Sequence, residues 1–312
     1  MNRSAILKSI LLCGAASAAL LFATPPAAAG AKPKKFEPAM FPDEKAIAKQ
    51  ARKFFDDEDL EDIQKAGPRQ LVISEFAVDF VAQETKKGSG GILQLAGVGK
   101  SVLEFEEDYK KTLPDTLYDG LVKELEAAGF KVVPRDQVVG HELYKEFVGA
   151  EDAASASGQT GAMKGAYQHL LVYPPQGMKL LETKGDAEDR NKDVEARLAD
   201  ALGVPLALRV HVKVGLWDRE EASIESGSWL LASLTPKKKV NKKTQAVTWE
   251  FDSDEKCEMK DGLRVEGSVV AASDFEGGKG KVLSIDTAKF QGALMQMYPT
   301  YAKMVAALLK KD

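Results

Sequence analysis

One short segment of the chain ends in the three residues that close a nucleotide-binding P-loop. Gly99, Lys100 and Ser101 complete the segment GILQLAGVGKS, and in a true P-loop the backbone N–H groups of such a segment wrap a phosphate. The motif needs an opening glycine where the chain has Gln94. The polar run 84–91 also separates the segment from the preceding apolar strand, whereas a P-loop joins strand and helix directly. The pattern therefore predicts a loop that leads into a helix, and no nucleotide partner.

Histidines and acidic runs are the next groups that could do chemistry. His141 begins HELYKE, but a zinc helix needs a second histidine where the chain has Lys145. His169 borders an apolar run and has no partner within its own segment. The acidic segments DRNKDVE (189–195) and DSDE (252–255) lack the glycine and the distal bidentate carboxylate of a calcium loop. We therefore expect no bound metal and no cofactor.

Two groups of basic residues are the candidate binding sites. The first is a lysine cluster in one predicted hairpin turn: Lys237, Lys238, Lys239, Lys242 and Lys243. The second lines one face of a predicted strand: Arg209, His211 and Lys213. A cationic hairpin tip suits phosphate headgroups, lipopolysaccharide or an acidic partner, whereas lysines also protect an exposed hairpin from edge-to-edge pairing. We expect the two cationic neighbours of His211 to lower its pKa and to repel a metal.

The first 29 residues have the pattern of a secretory signal peptide. Arg3 and Lys8 precede the uncharged apolar segment 9–24, and small residues follow at 27–29, where a signal peptidase would cleave. The pattern predicts a signal peptide over 1–29 and an exported protein, periplasmic or secreted. No later segment has 18 consecutive apolar residues, so no membrane-spanning helix is expected after it.

The net charge and the cysteine content exclude two further properties, nucleic-acid binding by bulk charge and an intrachain disulfide. Loss of residues 1–29 would remove two positive charges and no acidic residue, which changes the net charge from −4 to −6. A mildly acidic chain is not a nucleic-acid binder by bulk charge. Cys257 would then be the one remaining cysteine, so no intrachain disulfide could form. Its acidic surroundings disfavour a reactive thiolate, and we expect a passive surface thiol.

Composition and the positions of glycine and proline predict how the mature chain is organised. A basic, proline-rich leader and a helix over 43–66 would form a helical extension at 30–67. Residues 68–312 would form a single α/β domain, with a flexible loop near 149–166 where small, polar and glycine residues are concentrated.

Periodicity predicts an α/β (α+β) fold for that domain. The expected strands are 71–81, 130–136 and 206–217, followed by an antiparallel meander over 226–275. The expected helices are 114–128, begun by Pro114, 191–202, and a terminal helix capped by Asp286 and divided or kinked at Pro299. Together these elements predict a mixed sheet with helices packed on it.

The clearest strand, LALRVHVKVGLW (206–217), alternates strictly. The residues expected on its core face are Leu206, Leu208, Val210, Val212, Val214 and Leu216. The opposite face, which carries Arg209, His211 and Lys213, would be either wet or covered by another part of the chain.

Three segments carry a resemblance to a known group of proteins. They are the apolar strand LVISEFAVDF, the helix–glycine–strand unit LVKELEAAGFKVVPRDQV, and the similar unit LADALGVPLALRVHVKV. In this order, and followed by a meander and a terminal helix, they resemble the bacterial envelope group that includes the curli-secretion channel subunit and the N-terminal domain of the TolB translocation protein. The resemblance covers roughly 70–310 and implies a small α/β core in a protein that assembles in the envelope and binds protein or glycan. The chain differs from the channel subunit because we expect no lipidated cysteine.

The function predicted from these features is non-enzymatic. We expect an exported, periplasmic binding or assembly protein of the bacterial cell envelope, with an envelope protein or a second copy of itself as partner. One alternative is a secreted hydrolase whose residues converge only in the folded chain. The other is a peripheral module that binds an anionic lipid or glycan surface through the lysine hairpin. A deep pocket with convergent polar groups would favour the hydrolase.

Overall fold

The computed structural model describes residues 31–56, 60–85, 100–159, 167–276 and 280–310. Its helices are α1 (Glu44–Phe54), α2 (Glu61–Ala66), α3 (Glu107–Ala127), α4 (Arg135–Gly140), α5 (Glu142–Lys145), α6 (Gly185–Ala201) and α7 (Thr287–Leu308). Its strands are β1 (Ala31–Lys35), β2 (Gln70–Thr85), β3 (Lys100–Glu104), β4 (Lys131–Val132), β5 (Gly149–Ala150), β6 (Ala154–Gln159), β7 (Tyr167–Tyr173), β8 (Leu180–Leu181), β9 (Leu206–Trp217), β10 (Glu221–Ile224), β11 (Trp229–Val240), β12 (Val247–Glu258), β13 (Asp261–Ser268), β14 (Val270–Glu276) and β15 (Gly280–Ile285). The fold is α+β, as predicted.

One mixed sheet of thirteen strands organises the molecule. Its main path runs β1-β13-β10-β9-β2-β3-β15-β14. Beside this path, β11 pairs with β9 and β12, β7 pairs with β2 and β6, and β4 pairs with β2. The centre of the sheet is the parallel pair of β2 and β9, which runs from Leu71 beside Leu206 to Phe80 beside Val214. This central pair positions the candidate functional residues.

The two faces of the sheet are covered by different helices. On one face, α1, α3 and α7 pack together over the apolar side chains of β9. All six residues predicted for the core face of that strand are buried there, which confirms the prediction for 206–217. On the other face, α6 packs its Val194 and Leu198 against Ala207 and Phe251. The opposite face of β9 is therefore covered and not wet.

Several predicted elements change at their boundaries. The helix expected over 43–66 is two helices. The first ends at Phe54, because the next residue, Phe55, forms an antiparallel bridge with Met259. The helix expected from Pro114 begins earlier, at Glu107, so that proline lies inside α3. The last helix was expected to be kinked or divided at Pro299; it is not divided, because α7 runs without a break from Thr287 to Leu308. Buried tyrosines at 298 and 301 hold both sides of that proline in the core.

Other predictions are confirmed or fall outside the described chain. The Asp286 cap is confirmed, because its carboxylate accepts a hydrogen bond from the Lys289 backbone N–H at 3.1 Å. Of the antiparallel meander expected over 226–275, the hairpin of β11 and β12 is present. The meander does not continue to the next strands, because β13 pairs with β10 and β1, and β14 pairs with β15. The flexible loop expected near 149–166 holds β5 and β6 in its first part, and 160–166 lie outside the described residues. The predicted signal peptide, 1–29, lies outside them as well.

The N-terminal extension is attached to the domain at two places. β1 pairs in parallel with β13, and α1 packs against α7. The α1 helix begins at an Asp43 cap, whose carboxylate accepts a hydrogen bond from Ala46 N at 2.8 Å. Within the described residues, no helix combines the length and the apolar character that crossing a membrane requires.

Candidate functional site

The two central strands, β2 and β9, are mainly apolar, but each carries charged residues on one face. The parallel register places Glu75 beside Arg209 and Asp79 beside Lys213, with His211 between the two pairs. Residues two apart in a strand share one face of the sheet, so these five side chains form a single row. We call it the buried charged row. Burying a charge is unfavourable unless it is paired and hydrogen-bonded, so the row must supply its own partners.

A β-bulge directs the row to the face that α6 covers. The β2–β9 register shifts between Ile73 and Glu75, so Ser74 is an extra residue in β2. Strict alternation would put Glu75 on the same face as Leu71 and Ile73, which belong to the main apolar core. The bulge turns Glu75 to the opposite face, and Ser74 donates a hydrogen bond to Glu195 of α6. Bulges commonly re-aim side chains in this way.

Arg209 and Glu195 form a closed ion pair at one end of the row. The guanidinium Nε lies 3.0 and 3.1 Å from the two carboxylate oxygens, and a terminal nitrogen lies 2.5 Å from Oε2. Their side chains are 3% and 1% exposed. Burial acts against the charge on Arg209, but the carboxylates of Glu195 and Glu75 outweigh it and raise the pKa. The pair is thus charged and enclosed.

His211 lies between two carboxylates of β2. Its Nδ1 is 3.0 Å from Asp79 Oδ1 and its Nε2 is 3.5 Å from Glu75 Oε1. Burial lowers the pKa of His211, but Asp79 and then Glu75 outweigh that effect and raise it to about 10. The prediction that cationic neighbours lower this pKa is therefore wrong. Arg209 has its own counter-ion on α6, and the nearest charges around the imidazole are negative.

This geometry defines what His211 can do chemically. An imidazolium whose pKa is raised to about 10 keeps its proton at neutral pH, which makes it a poor general base or metal ligand. Its ring is stacked on Trp229 at a centroid distance of 4.2 Å and an interplanar angle of 13°. Lys256 lies over the same indole at 5.2 Å. The arrangement fits a structural cation that ties β9 to β2 and β11.

The lysine cluster belongs to a hairpin that leaves the sheet. Only Lys242 and Lys243 lie in its turn; the prediction that all five lysines lie there is wrong for Lys237, Lys238 and Lys239, because β11 continues to Val240. β11 pairs with β9 only as far as Leu234 beside Leu206, and Thr235, with a φ of 55°, donates its N–H to Pro205 O at 2.7 Å. Beyond this point β11 is paired with β12 alone, as far as the residue pair 240 and 247. We call residues 236–251 the lysine hairpin. Six residues at ~3.3 Å each carry its end ~20 Å beyond the last β9 contact.

The two faces of the lysine hairpin differ. On one face, Lys237 pairs with Asp252 and also lies 3.8 Å from Glu250, and Lys239 lies 3.0 Å from Glu250. On the other face, the cross-strand pairs are Pro236 with Phe251, Lys238 with Trp249, and Val240 with Val247. Phe251 and Trp249 pack on α6, and Trp249 N donates to Asp193 Oδ1 at 2.7 Å. The base of the hairpin is thereby held, and its end projects.

The fold does not bring the two predicted groups of basic residues together. Arg209 is opposite Leu231 of β11, whereas Lys237 follows six residues further along that strand, a separation of ~20 Å. His211 and Lys213 lie further still from the hairpin end, because β9 and β11 run antiparallel. Arg209 and Lys213 are buried and His211 is 13% exposed. As candidate surface-binding residues these three are therefore enclosed, whereas the five lysines are exposed.

The remaining sequence motifs lie in elements unsuited to the chemistry considered for them. Lys100 and Ser101 belong to β3, not to a loop before a helix, and the preceding residues 86–99 lie outside the described chain. His141 accepts a hydrogen bond from Leu143 N at 3.2 Å and caps α5. The acidic run 189–195 lies within α6. Among the described residues, no three His, Cys, Asp or Glu side chains are grouped to hold a metal.

Cys257 lies in the core and not on the surface. The surface thiol predicted there is wrong: the side chain is fully buried, with Sγ 2.6 Å from Asp56 O. The reason is that β12 directs this side chain into the main apolar core, to which α7 also contributes.

A groove of about 670 Å³ lies between α1 and the C-terminal ends of α3 and α7. Its charged lining mixes three acidic with three basic residues: Asp43, Glu44, Glu124, Lys45, Lys303 and Lys310. These charges lie at the N-terminal end of α1 and at the C-terminal ends of α3 and α7, and none of them belongs to the buried charged row.

Sequence reasoning missed the carboxylates that pair with the basic residues of the buried charged row. Glu75, Asp79 and Glu195 are the partners of His211 and Arg209. A usable signal was present, since Glu75 and Asp79 are the acidic residues of the apolar strand LVISEFAVDF, four positions apart. Two buried strands with opposite charges at matching spacing predict that the strands pair.

Comparison with known proteins finds no relative of this chain. No family model, no curated protein and no solved structure matches the chain. The class of protein is therefore defined by the fold, an α+β protein with a mixed sheet and a projecting lysine-rich hairpin. The likeness to the curli-secretion and TolB group stays a prediction.

Proposed function

We propose that the chain is an exported, periplasmic binding or assembly protein of the bacterial cell envelope that acts without catalysing a reaction. The observation that carries this proposal is the lysine hairpin. It projects ~20 Å beyond the last contact of β11 with β9 and presents exposed lysines and valines at its end. An element that extends from a well-packed domain in this way is suited to contact another surface.

The rest of the fold supports a scaffold for that contact. Arg209 and His211 of the buried charged row are paired with internal carboxylates, and the histidine carries a proton across the neutral pH range. Such a row stabilises the junction of β2, β9 and α6. The rival function, a hydrolase, would need a neutral base or an activated nucleophile, and the histidine geometry is unfavourable for that role.

The resemblance noted in the sequence points the same way. Members of the envelope group assemble with each other or bind envelope components, and the order of helix–glycine–strand units is similar here. Export is supported by the charged, apolar and small-residue pattern of 1–29. The proposed partner is therefore an envelope component or a second copy of the chain.

The test combines two measurements on the mature chain, from residue 30 onward. Light scattering after size-exclusion chromatography measures the mass in solution, and sedimentation with purified native envelope fragments measures surface binding. A matched variant replaces 239–248 with an Asn-Gly turn, which removes the hairpin end and retains Trp249 and Phe251 on α6. We expect envelope binding or an oligomer for the natural chain and its loss in the variant. A monomer that stays in the supernatant, or binding unchanged by the shortened hairpin, would refute the proposal.

A further inference from the structure

The end of the lysine hairpin combines exposed apolar and cationic side chains. Val240 and Val247 are the exposed large hydrophobic residues of the described chain, at 47% and 48%. They form a cross-strand pair, so their Cβ atoms are ~5 Å apart on one face. Two adjacent valines form a small patch compared with the ~800 Å² that each partner contributes to a stable protein interface.

Three lysines around the valines form no ion pair within the described part of the chain. Lys238 precedes Val240 by two positions and shares its face, and Lys242 and Lys243 belong to the turn that follows. The lysines at 237 and 239 are different, because both are paired with carboxylates on the opposite face. The unpaired positive charge is therefore concentrated at the valine end. Long lysine stems reach past an apolar patch and keep their ammonium groups in a polar layer.

The turn that carries these residues is fixed by its own hydrogen bonds. Asn241 Oδ1 accepts from Lys243 N at 2.9 Å and from Thr244 N at 3.2 Å. Two backbone hydrogen bonds close the turn: Asn241 N donates to Ala246 O at 2.9 Å, and Asn241 O accepts from Gln245 N at 2.8 Å. Because the tip is ordered before it meets a surface, little conformational entropy is lost on binding.

We propose that the tip inserts Val240 and Val247 into the interfacial layer of an anionic phospholipid membrane, with Lys238, Lys242 and Lys243 against the headgroups. This inference rests on the proposed function and names the surface that the hairpin contacts. Shallow insertion needs only a small apolar patch, and anionic headgroups attract nearby lysines. A sugar-binding platform would use an exposed aromatic ring, whereas Trp249 is half-buried against α6.

The test measures partition of the mature chain onto vesicles. Large unilamellar vesicles of phosphatidylglycerol and phosphatidylcholine (1:1) are compared with pure phosphatidylcholine, by co-sedimentation at about 0.1 M salt. We expect binding to the anionic vesicles alone, and weakening at about 0.5 M salt, where exposed charges are screened. V240T/V247T keeps β-branched residues in the strands and should weaken binding by about 25-fold, or about fivefold per valine. K242Q/K243Q should weaken it by about 20-fold.

A matched control separates the tip from net charge. K303Q/K310Q removes two positive charges from the C-terminal end of α7, which packs on the opposite face of the sheet from α6. This variant should change binding by less than about twofold. Circular dichroism and a thermal melt of each variant establish that it is folded. If V240T/V247T binds anionic vesicles as tightly as the natural chain, or if K303Q/K310Q weakens binding as much as K242Q/K243Q, the inference is wrong.

The outcome also separates this inference from the proposed function. Hairpin-dependent binding to native envelope fragments, with no binding to either vesicle, would overturn the lipid inference and leave a protein or glycan partner for the hairpin. A monomer that binds neither envelopes nor vesicles would overturn the two proposals together. Binding to vesicles that depends on the valines supports both.

Discussion

The Arg209–Glu195 pair allows a quantitative test of the buried charged row. E195Q removes the carboxylate charge but keeps the size of the side chain. Glu195 accepts three contacts from the Arg209 guanidinium at 2.5–3.1 Å and a hydrogen bond from Ser74. Arg209 cannot shed its proton, since its pKa is raised, so the variant leaves a cation in a site that is 3% exposed.

The expected magnitude follows from that geometry. Removing one partner of a buried ion pair costs about 3–5 kcal/mol. Single domains have free energies of unfolding of about 5–15 kcal/mol, so E195Q should remove about a third of the stability. The double variant E195M/R209M replaces both charges with apolar side chains and should recover to within about 1 kcal/mol of the natural chain.

The assay is urea unfolding followed by tryptophan fluorescence, with circular dichroism as a second probe. The slope of free energy against urea should stay constant if all variants share one folded structure. A loss below about 1 kcal/mol for E195Q would show that water reaches the pair. A double variant as unstable as E195Q would show that the site depends on its hydrogen bonds and not on charge pairing. Either result would contradict the assignment of Arg209 and Glu195 as a buried charge pair.

Three further predictions concern other parts of the fold. The pKa of His211 is raised from 6.5 to about 10, so its stabilisation is complete below pH 6.5 and is lost as the pH rises through 10. The free energy of unfolding should then fall by up to about 3 kcal/mol between pH 7 and 9, and H211Q should remove this slope in urea titrations; a slope unchanged in H211Q would contradict the assignment. Because Cys257 is buried, it should resist Ellman's reagent in the native protein and react in about 6–8 M urea, the range that unfolds small domains; rapid native reaction would contradict its placement. A Cβ at Gly149 would lie 2.1 Å from Leu180 O, so Gly149→Ala should destabilise by about 2 kcal/mol, whereas Gly140→Ala, with open space around it, should be near neutral; equal melting temperatures would rule out the close β5–β8 approach.

Local periodicity was sufficient for the elements that face a single core. The alternation of 206–217 predicted both the strand and its buried face, and the Asp286 cap predicted the start of α7. The helix expected over 114–128 is present as α3, although it begins at Glu107 and not at Pro114. In each of these cases the pattern that determines the structure lies within one segment. Such patterns can be read from a single sequence.

The candidate site depends on features that no single segment contains. The bulge at Ser74 changes which face Glu75 occupies, and an inserted residue in a strand has no strong local signature. Glu195 reaches Arg209 only because α6 crosses the sheet above β9. The hairpin lysines were predicted correctly as exposed, but their pairing with carboxylates at 250 and 252 depends on the register of β11 and β12. Long-range register is what the sequence left open.

The pairing of the first strand with the thirteenth bears on when the chain can fold. Arg264 Nε donates a hydrogen bond to Pro33 O across 231 positions of sequence. The central strand β2 cannot pair with β9 until that strand, more than a hundred residues later, has been synthesised. Contacts between distant segments form slowly, because loop-closure entropy must be overcome first. A growing chain therefore lacks a complete sheet until its last third has been synthesised. If the protein is exported as proposed, this delay would keep the polypeptide unfolded until it has crossed the membrane, and the sheet would close afterwards.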